Sequence, residues 1–347
     1  METHRRADAR GLGAGVRMLL VTDDFPPAIG GIASYLRDLY GDAPRLVRPR
    51  FFAALRAIRR ARPDVLFAGT LFSSGVLAYV ASRLFRIPYA VHVYGTDLTT
   101  QRRSALMQRV ARMVLRGAAR VIVISDFGAR AAAEYGIDAS RIVKIVPPVD
   151  TERFVPRWKT GNPACPPPLL LTVARLVPRK GHDTVLRALP LVLARIPDVQ
   201  YAIVGEGPER ARLEALAREL GVERAVQFAG AVVDVVPWYQ SCDLFVMMSR
   251  DEEGEVEGFG ISFTEAAACG KPAIGGRSGG TAEAVLDGVT GVLVDDERSL
   301  AEAIVNLLTD RETAARMGRA GRERAERELS VAAAAARLRR VAEELTR

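Results

Sequence analysis

Short apolar strands alternate with helical segments along the whole chain, and this alternation limits the possible folds more than any other feature. Alternation of strand and helix is typical of a doubly wound parallel sheet. In the first half, strands are predicted at residues 16–22, 65–68, 89–93, 121–125 and 142–146. Helices are predicted between them at residues 32–40, 51–61, 75–84, 104–117 and 128–135. The first half is therefore predicted to be an α/β domain.

The second half repeats the pattern. Strands are predicted at 169–173, 199–204, 226–228, 244–247, 273–275 and 292–294, and helices at 299–309 and 311–345. A chain of 347 residues favours two domains. We predict a disordered leader at 1–15, a first domain at 16–157, a proline-rich linker at 158–168 and a second domain at 169–347. The last helix is expected to pack back on the first domain.

Two glutamates bracket a glycine-containing segment. Glu257 and Glu265 stand eight positions apart, so both carboxylates could share one side of a helix start. Gly258 and Gly260 allow close approach of a ligand to the backbone, and the following helix offers free N–H groups that suit a phosphate. The combination suits a nucleotide-sugar, because carboxylates can hold sugar hydroxyls. The alternative is a solvated acidic surface next to a loop.

Two cations follow a predicted buried strand. Arg175 and Lys180 come after the strand at 169–173, at the end where open α/β sheets bind ligands. Together they could neutralise a leaving diphosphate. For either residue alone, a basic surface turn would be the favoured interpretation.

These motifs resemble those of the retaining glycosyltransferases of family 4. The resemblance rests on Arg175-x4-Lys180-Gly181, on Glu257-x7-Glu265, and on the segments 25–32, 204–208, 266–272 and 278–283. Within the family, the sequences Arg-Leu-Val-Pro-Arg-Lys-Gly and Val-Glu-Gly-Phe-Gly-Ile are most similar to the phosphatidyl-myo-inositol mannosyltransferases. The resemblance implies the GT-B fold, in which two Rossmann-like domains face each other across a cleft.

The resemblance also implies the roles of individual residues. Arg175 and Lys180 would hold the diphosphate, Glu257 the sugar hydroxyls and Glu265 the ribose. Further donor contacts are implied at Gly205, Gly258, Phe259, Gly260, Gly279 and Gly280. Gly30 and Gly31 follow the first strand and start a helix, so their amides could face the donor diphosphate or the acceptor, with a simple tight turn as the alternative. The implied donor is GDP-mannose or another nucleoside-diphosphate sugar, and no cofactor or metal is expected.

The first half departs from the family pattern in two places. The family's histidine directly before a glycine is replaced by Tyr94, while His92 lies two residues earlier and would share a strand face with it. His92 is therefore a candidate catalytic residue, with a buried core histidine as the alternative, and Tyr94 and Asp97 are candidate donor contacts. Residues 41–64 leave room for one helix where the family carries extra strands, so the first domain is expected to be shortened.

Charge and cysteine content indicate the cellular location of the protein and the surface it contacts. The net charge is +8, and the excess of arginine lies in the first half. A basic first half could attract anionic lipid head groups, an anionic acceptor or nucleic acid, and the lack of a nucleic-acid module favours the lipid surface. Three cysteines without metal spacing, together with the lack of a signal sequence, indicate a cytoplasmic protein with peripheral contact at the inner membrane face.

The expected function is transfer of a hexose, such as mannose, from a nucleotide-sugar to a lipid or glycan acceptor. One alternative is a UDP-sugar transferase acting on a polysaccharide or a small aminocyclitol. The other is a non-catalytic nucleotide-binding protein of the same fold. A nicotinamide enzyme is disfavoured, because Gly205-Glu206-Gly207 lacks the third glycine of a dinucleotide fingerprint.

Overall fold

The computed structural model describes residues 16–28, 30–41, 45–100, 104–157, 167–252 and 255–347. The predicted leader at 1–15 and residues 158–166 of the predicted linker lie outside these residues. The chain forms two compact units. The first contains the described residues up to Pro148 together with Val331–Arg347, and the second is Val149–Ser330.

The first unit is built on a six-stranded parallel sheet with the order β2-β1-β3-β4-β5-β6. Its strands are β1 Met18–Val21, β2 Leu46–Val47, β3 Val65–Ala68, β4 Tyr89–Val93, β5 Arg120–Val123 and β6 Ile142–Lys144. Its helices are α1 Gly31–Tyr40, α2 Phe51–Ala61, α3 Ser73–Phe85, α4 Thr96–Thr99, α5 Ala105–Gly117 and α6 Asp126–Glu134. Buried residues of β1 and β3–β5 pack against α2, α3, α5 and α6 to form its core.

The second unit has a second six-stranded parallel sheet, with the order β12-β11-β10-β7-β8-β9. Its strands are β7 Leu169–Val173, β8 Gln200–Val204, β9 Val226–Gly230, β10 Leu244–Met247, β11 Ala273–Gly276 and β12 Gly291–Val294. Its helices are α7 His182–Leu193, α8 Arg210–Glu219, α9 Val236–Ser241, α10 Ile261–Ala268, α11 Thr281–Ala284, α12 Glu297–Thr309 and α13 Arg311–Glu328. The expected α/β class with a parallel sheet in each half is confirmed.

Strand β2 corrects the prediction for residues 41–64. We expected a single helix there, but Leu46 and Val47 also pair in parallel with β1. The backbone N–H groups of Leu20 and Thr22 donate to the carbonyls of Arg45 and Val47 at 2.9 and 3.1 Å. A strand of two residues is too short to show the period-two pattern on which sequence prediction depends.

The end of the chain also differs from the prediction. The single helix expected at 311–345 is two helices, because α13 ends at Glu328 and α14 occupies Val331–Thr346. At the break, the carbonyl of Leu329 accepts a hydrogen bond from the N–H of Val149 at 2.8 Å. Helix α14 lies in the first unit, where it packs against α1.

The boundary between the units lies earlier than the predicted end of the first domain at residue 157. Residues after Val149 are hydrogen-bonded to α13. The guanidinium of Arg322, on that helix, donates to the carbonyls of Thr151 and Phe154 at 3.1 and 2.7 Å. Those bonds hold residues 149–157 in the second unit.

Candidate active site

The order of strands in the second sheet creates a switch point between β7 and β10. The two strands are neighbours in the sheet. The strand after β7 lies toward one edge of the sheet, and the strand after β10 lies toward the other edge. In sheets of this kind, ligands bind outside the carboxyl ends of the strands at such a point. Arg175 and Lys180 follow β7, and Ser249 and Glu257 follow β10. The topology therefore brings most of the predicted site of this unit to one place.

The loop after β7 lies directly against the loop after β10. Gly181 has φ +65°, and a Cβ at this position would lie 1.9 Å from the carbonyl oxygen of Met248. The N–H of Arg250 also donates to the carbonyl of Arg179 at 2.9 Å. A glycine is required at position 181 for the two loops to approach this closely.

A buried ion pair joins these loops. The Lys180 ammonium contacts Oε2 of Glu257, and the two side chains are only 11% and 9% exposed. The same oxygen accepts from Nη1 of Arg179 at 3.3 Å and from the Ser249 hydroxyl at 3.1 Å. Two cations and one hydroxyl therefore converge on a single carboxylate oxygen.

The electrostatics keep this pair charged. Burial acts to raise the pKa of Glu257, but attraction to Lys180 and Arg179 outweighs it and the pKa lies below its usual value. Burial lowers the pKa of Lys180, and the Glu257 carboxylate offsets part of that effect. A paired carboxylate and ammonium can both remain ionised in a buried site, where either alone would not.

The segment after β11 holds Glu257 in place through its backbone. The N–H of Gly280 donates to the carbonyl of Glu257 at 2.7 Å. The Ser278 hydroxyl accepts from the N–H of Glu257 at 3.2 Å and donates to the Asp251 carboxylate at 2.6 Å. Added Cβ atoms at Gly279 and Gly280 would lie 2.1 and 2.3 Å from the carbonyl oxygens of Glu257 and Gly258. The expected amide contacts of these glycines with a donor stay a prediction.

Glu257 and Glu265 do not share a helix face, which corrects the interpretation of their spacing. Helix α10 begins at Ile261 after Gly260, whose φ is +96°, so Glu257 lies in the preceding loop. The Glu265 carboxylate is on the helix and accepts from the Tyr239 hydroxyl at 2.6 Å. Three residues of loop, including the buried Phe259, separate Glu257 from the helix start.

Arg175 and Gly205 lie beside the same loop. The Arg175 side chain is exposed, and its carbonyl accepts from Nε2 of the buried His182 at 3.2 Å. Burial lowers the pKa of His182 to about 4. At Gly205, φ is +139° and a Cβ would lie 2.0 Å from the carbonyl oxygen of Ala174. Gly205 thus lets β8 end directly against the loop that carries Arg175.

In the first unit, His92 is the centre of a buried hydrogen-bond network. Its Nδ1 is 3.1 Å from the Tyr35 hydroxyl and its Nε2 is 2.8 Å from the Tyr40 hydroxyl. Burial lowers the pKa of His92 to about 3, so the ring is neutral and can donate to one tyrosine and accept from the other. Both ring nitrogens are engaged with α1, and this arrangement favours the buried core histidine over the catalytic one.

Tyr94 and Asp97 lie just beyond β4. The Tyr94 ring meets Tyr35 edge to face, as the His92 ring does, and its hydroxyl donates to the carbonyl of Gly69 at 2.8 Å. Oδ1 of Asp97 accepts from the N–H of Tyr94 at 3.1 Å, while its buried Oδ2 has no hydrogen-bond partner in the described part of the chain. Burial raises the pKa of Asp97 to about 7.

Gly30 and Gly31 form the start of α1. Both are exposed, and a Cβ at Gly30 would meet no atom within 4 Å. This helix start has no side-chain cap, so its first N–H groups are open to a ligand. Their expected role in donor or acceptor binding stays a prediction.

Comparisons with known proteins agree with this geometry. The family model described as "Glycosyl transferases group 1" matches residues 157–324, and "Glycosyl transferase 4-like domain" matches residues 2–148. The chain is 34% identical to the GDP-mannose-dependent alpha-(1-6)-phosphatidylinositol monomannoside mannosyltransferase of Mycolicibacterium smegmatis, with 88% of this chain and 92% of the relative covered. A GDP-mannose-dependent monoacylated alpha-(1-6)-phosphatidylinositol monomannoside mannosyltransferase of Corynebacterium glutamicum is 31% identical, with 92% and 96% covered.

Solved structures show the same fold. HepE of Anabaena, in complex with UDP, superposes with a TM-score of 0.81 at 21% identity and covers 94% of this chain and 100% of its own. Sucrose-phosphate synthase of Thermosynechococcus elongatus gives 0.79 at 22% identity, with 95% and 99% covered. The fold is therefore GT-B, built from two Rossmann-like domains.

Fold, site and relatives together define a glycosyltransferase, an enzyme that transfers a sugar. The chain belongs to glycosyltransferase family 4, the family that its motifs resemble. Within the described residues, no group of three or more His, Cys, Asp or Glu could hold a metal ion.

His92→Ala tests the assignment of the buried histidine. Removing the ring leaves a cavity and two buried hydroxyls without partners, so the free energy of unfolding should fall by about 2–5 kcal/mol at neutral pH. In the unfolded chain histidine binds a proton below a pKa of about 6.5. The stabilisation by His92 is therefore present above that pH and lost as the pH falls toward about 3.

Chemical denaturation at several pH values measures this effect. The difference between wild type and His92→Ala should shrink as the pH is lowered from 7 to 4. Tyr94→Phe is the matched control, because it keeps a ring against Tyr35 and leaves His92 in place, so its difference from wild type should not change over this pH range. An unchanged stability with lost sugar transfer would instead make His92 a catalytic residue.

Proposed function

We propose that the chain transfers mannose from GDP-mannose to a phosphatidylinositol mannoside lipid, with retention of the anomeric configuration. The mannosyltransferases of M. smegmatis and C. glutamicum support the donor and the acceptor class. The observation that carries the proposal for this chain is the convergence of Lys180 and Glu257 at the switch point of the second sheet.

Lys180 keeps hydrogen-bonding capacity for a diphosphate. An ammonium has three N–H donors, and the Glu257 carboxylate uses one of them. Among the described residues no second acceptor contacts Nζ, so two donors remain for phosphate oxygens. The exposed Arg175 guanidinium, which likewise has no hydrogen-bond partner in that part of the chain, adds a second positive charge. Both charges would stabilise the diphosphate as it leaves.

Glu257 keeps one carboxylate oxygen for the sugar. Its side-chain hydrogen bonds to the described residues are all made through Oε2, and Oε1 has no hydrogen-bond partner among them. We assign Oε1 to a hydroxyl of the donor sugar and the Glu265 carboxylate, at α10, to the ribose. The acceptor attacks on the face from which the diphosphate departs, and a phosphate oxygen takes the acceptor's proton. No metal is assigned to the reaction.

The acceptor would be reached by docking of the first unit on an anionic lipid surface. Helix α2 exposes Phe51 and Phe52, at 43% and 85%, on the same helix as the exposed Arg56, Arg59 and Arg60. Aromatic rings insert at a lipid interface and arginines pair with its phosphates. Arg102 and Arg103 of the same basic first half lie outside the described residues. Within those residues, no helix is long and apolar enough to cross a membrane.

Initial rates with GDP-mannose, UDP-glucose and ADP-glucose test the donor and the reaction. Mannose should be transferred to a phosphatidylinositol monomannoside and not to a lipid without inositol.

Lys180→Ala should lower kcat by about 100- to 1,000-fold, because one preorganised contact to the developing charge is lost. Lys144→Ala, which removes an exposed lysine of the first unit, should leave the rate unchanged. Transfer only from a uridine donor, or donor binding without turnover by the wild type, would reject the proposal.

Co-sedimentation with phosphatidylinositol-containing vesicles tests the docking surface. Binding should rise with the anionic lipid content and fall with salt, because exposed charges are screened beyond about 8 Å at physiological ionic strength. Arg59→Ala should weaken binding about fivefold, from about 1 kcal/mol for each arginine near the surface. Phe52→Ala should also weaken it, whereas Arg298→Ala on α12 should not. Binding that does not depend on lipid charge, or equal effects of Arg59→Ala and Arg298→Ala, would contradict the assignment of this docking surface.

A further inference from the structure

The two oxygens of the Glu257 carboxylate have unequal surroundings. Oε2 receives the Lys180 ammonium, the Ser249 hydroxyl and the Arg179 guanidinium, whereas Oε1 receives no donor from the described residues. A carboxylate that pairs with a single ammonium can rotate and exchange its oxygens. Donors from three separate residues fix which oxygen faces the protein, and so fix which oxygen remains for a ligand.

Of the three donors to Glu257, Arg179 also makes contacts with two other residues after β10. Its Nε lies 3.3 Å from Oε2 of Glu255, while its Nη1 reaches Glu257. Its carbonyl accepts from the N–H of Arg250. The Arg179 side chain is 17% exposed, whereas that of Glu255 is 58% exposed. Arg179 attracts the Glu257 carboxylate together with Lys180, and its planar group of N–H donors adds a fixed direction to that attraction.

The residue that holds Arg179 is itself fixed through its backbone. Glu252 and Glu255, which follow β10, exchange both backbone hydrogen bonds, at 2.9 and 2.7 Å. Just before them, the Arg250 guanidinium is anchored on Asp183 at 2.8 Å. The position of Glu255, and through it that of Arg179, is therefore set by the backbone pairing with Glu252.

We infer that Arg179 is a positioning residue for the donor sugar: with Glu255 it orients the Glu257 carboxylate so that Oε1 meets the sugar, and it does not bind the diphosphate. The inference rests on the proposed function, in which Glu257 holds a sugar hydroxyl. It assigns Arg179 and Glu255 to recognition of the sugar and leaves recognition of the diphosphate to Arg175 and Lys180.

Calorimetric titration with GDP and with GDP-mannose separates these roles. The wild type should bind GDP-mannose more tightly than GDP. Arg179→Gln should weaken GDP-mannose binding about tenfold, the value of one hydrogen bond to a charged group, and leave GDP binding within about twofold. Arg179→Lys should recover part of the loss. Glu255→Gln should act in the same direction but less, because an exposed ion pair contributes little.

Two further measurements complete the test. The donor KM of Arg179→Gln should rise more than its kcat falls, and Arg179→Gln should add no further loss of GDP-mannose affinity when Glu257 is already Gln.

Equal weakening of GDP and GDP-mannose would make Arg179 a diphosphate ligand and overturn the inference. Unchanged binding of both in Arg179→Gln and Glu255→Gln would also overturn it. A wild type that binds GDP and GDP-mannose equally would reject the role proposed for Glu257 itself, which is a distinct outcome. If Arg179→Gln fails to fold, the same binding measurements can be made on Glu255→Gln, which changes only an exposed side chain.

Discussion

The buried contact between Lys180 and Glu257 is the interaction on which the candidate site depends. Neither charge would be tolerated alone in this position, and removal of one partner from such a pair costs about 3–5 kcal/mol. The surrounding backbone is shaped to keep the pair together. Gly181 lets the loop after β7 touch the loop after β10, and Gly280 binds the carbonyl of Glu257. Replacement of a buried ion pair by hydrophobic residues of similar volume is often neutral or stabilising, so the charges at this position point to function more than to stability.

The sheet order explains why the pair forms where it does. Lys180 and Glu257 are far apart in sequence, and the switch between β7 and β10 makes their loops neighbours. The same edge carries Arg175 and the start of α10. One cation and one carboxylate oxygen with spare hydrogen-bonding capacity thus lie side by side, as a sugar diphosphate requires. In the first unit, by contrast, the side chain of His92 is fully used by Tyr35 and Tyr40, whereas the start of α1 has no side-chain cap.

Much of this was predictable from local sequence. The apolar runs at 169–173 and 244–247 are strands, and the motif around Arg175 and Lys180 follows the first of them as expected. What failed depended on backbone conformation or on contacts between distant segments. Helix α10 starts after Gly260, which has a left-handed backbone, so the spacing of Glu257 and Glu265 gave the wrong helix face. The break between α13 and α14 coincides with a hydrogen bond from Val149, and the burial of His92 needs two tyrosines from α1. These last two contacts leave no signal in the local pattern.

A structure determined with GDP-mannose, or with an unreactive analogue of it, would test the central claim most directly. The account predicts a diphosphate oxygen within hydrogen-bond distance of Nζ of Lys180, and a hydroxyl of the sugar on Oε1 of Glu257. The contact between Lys180 and Oε2 of Glu257 should persist in that complex. A donor bound with its diphosphate away from Lys180, or with its sugar away from Glu257, would contradict it.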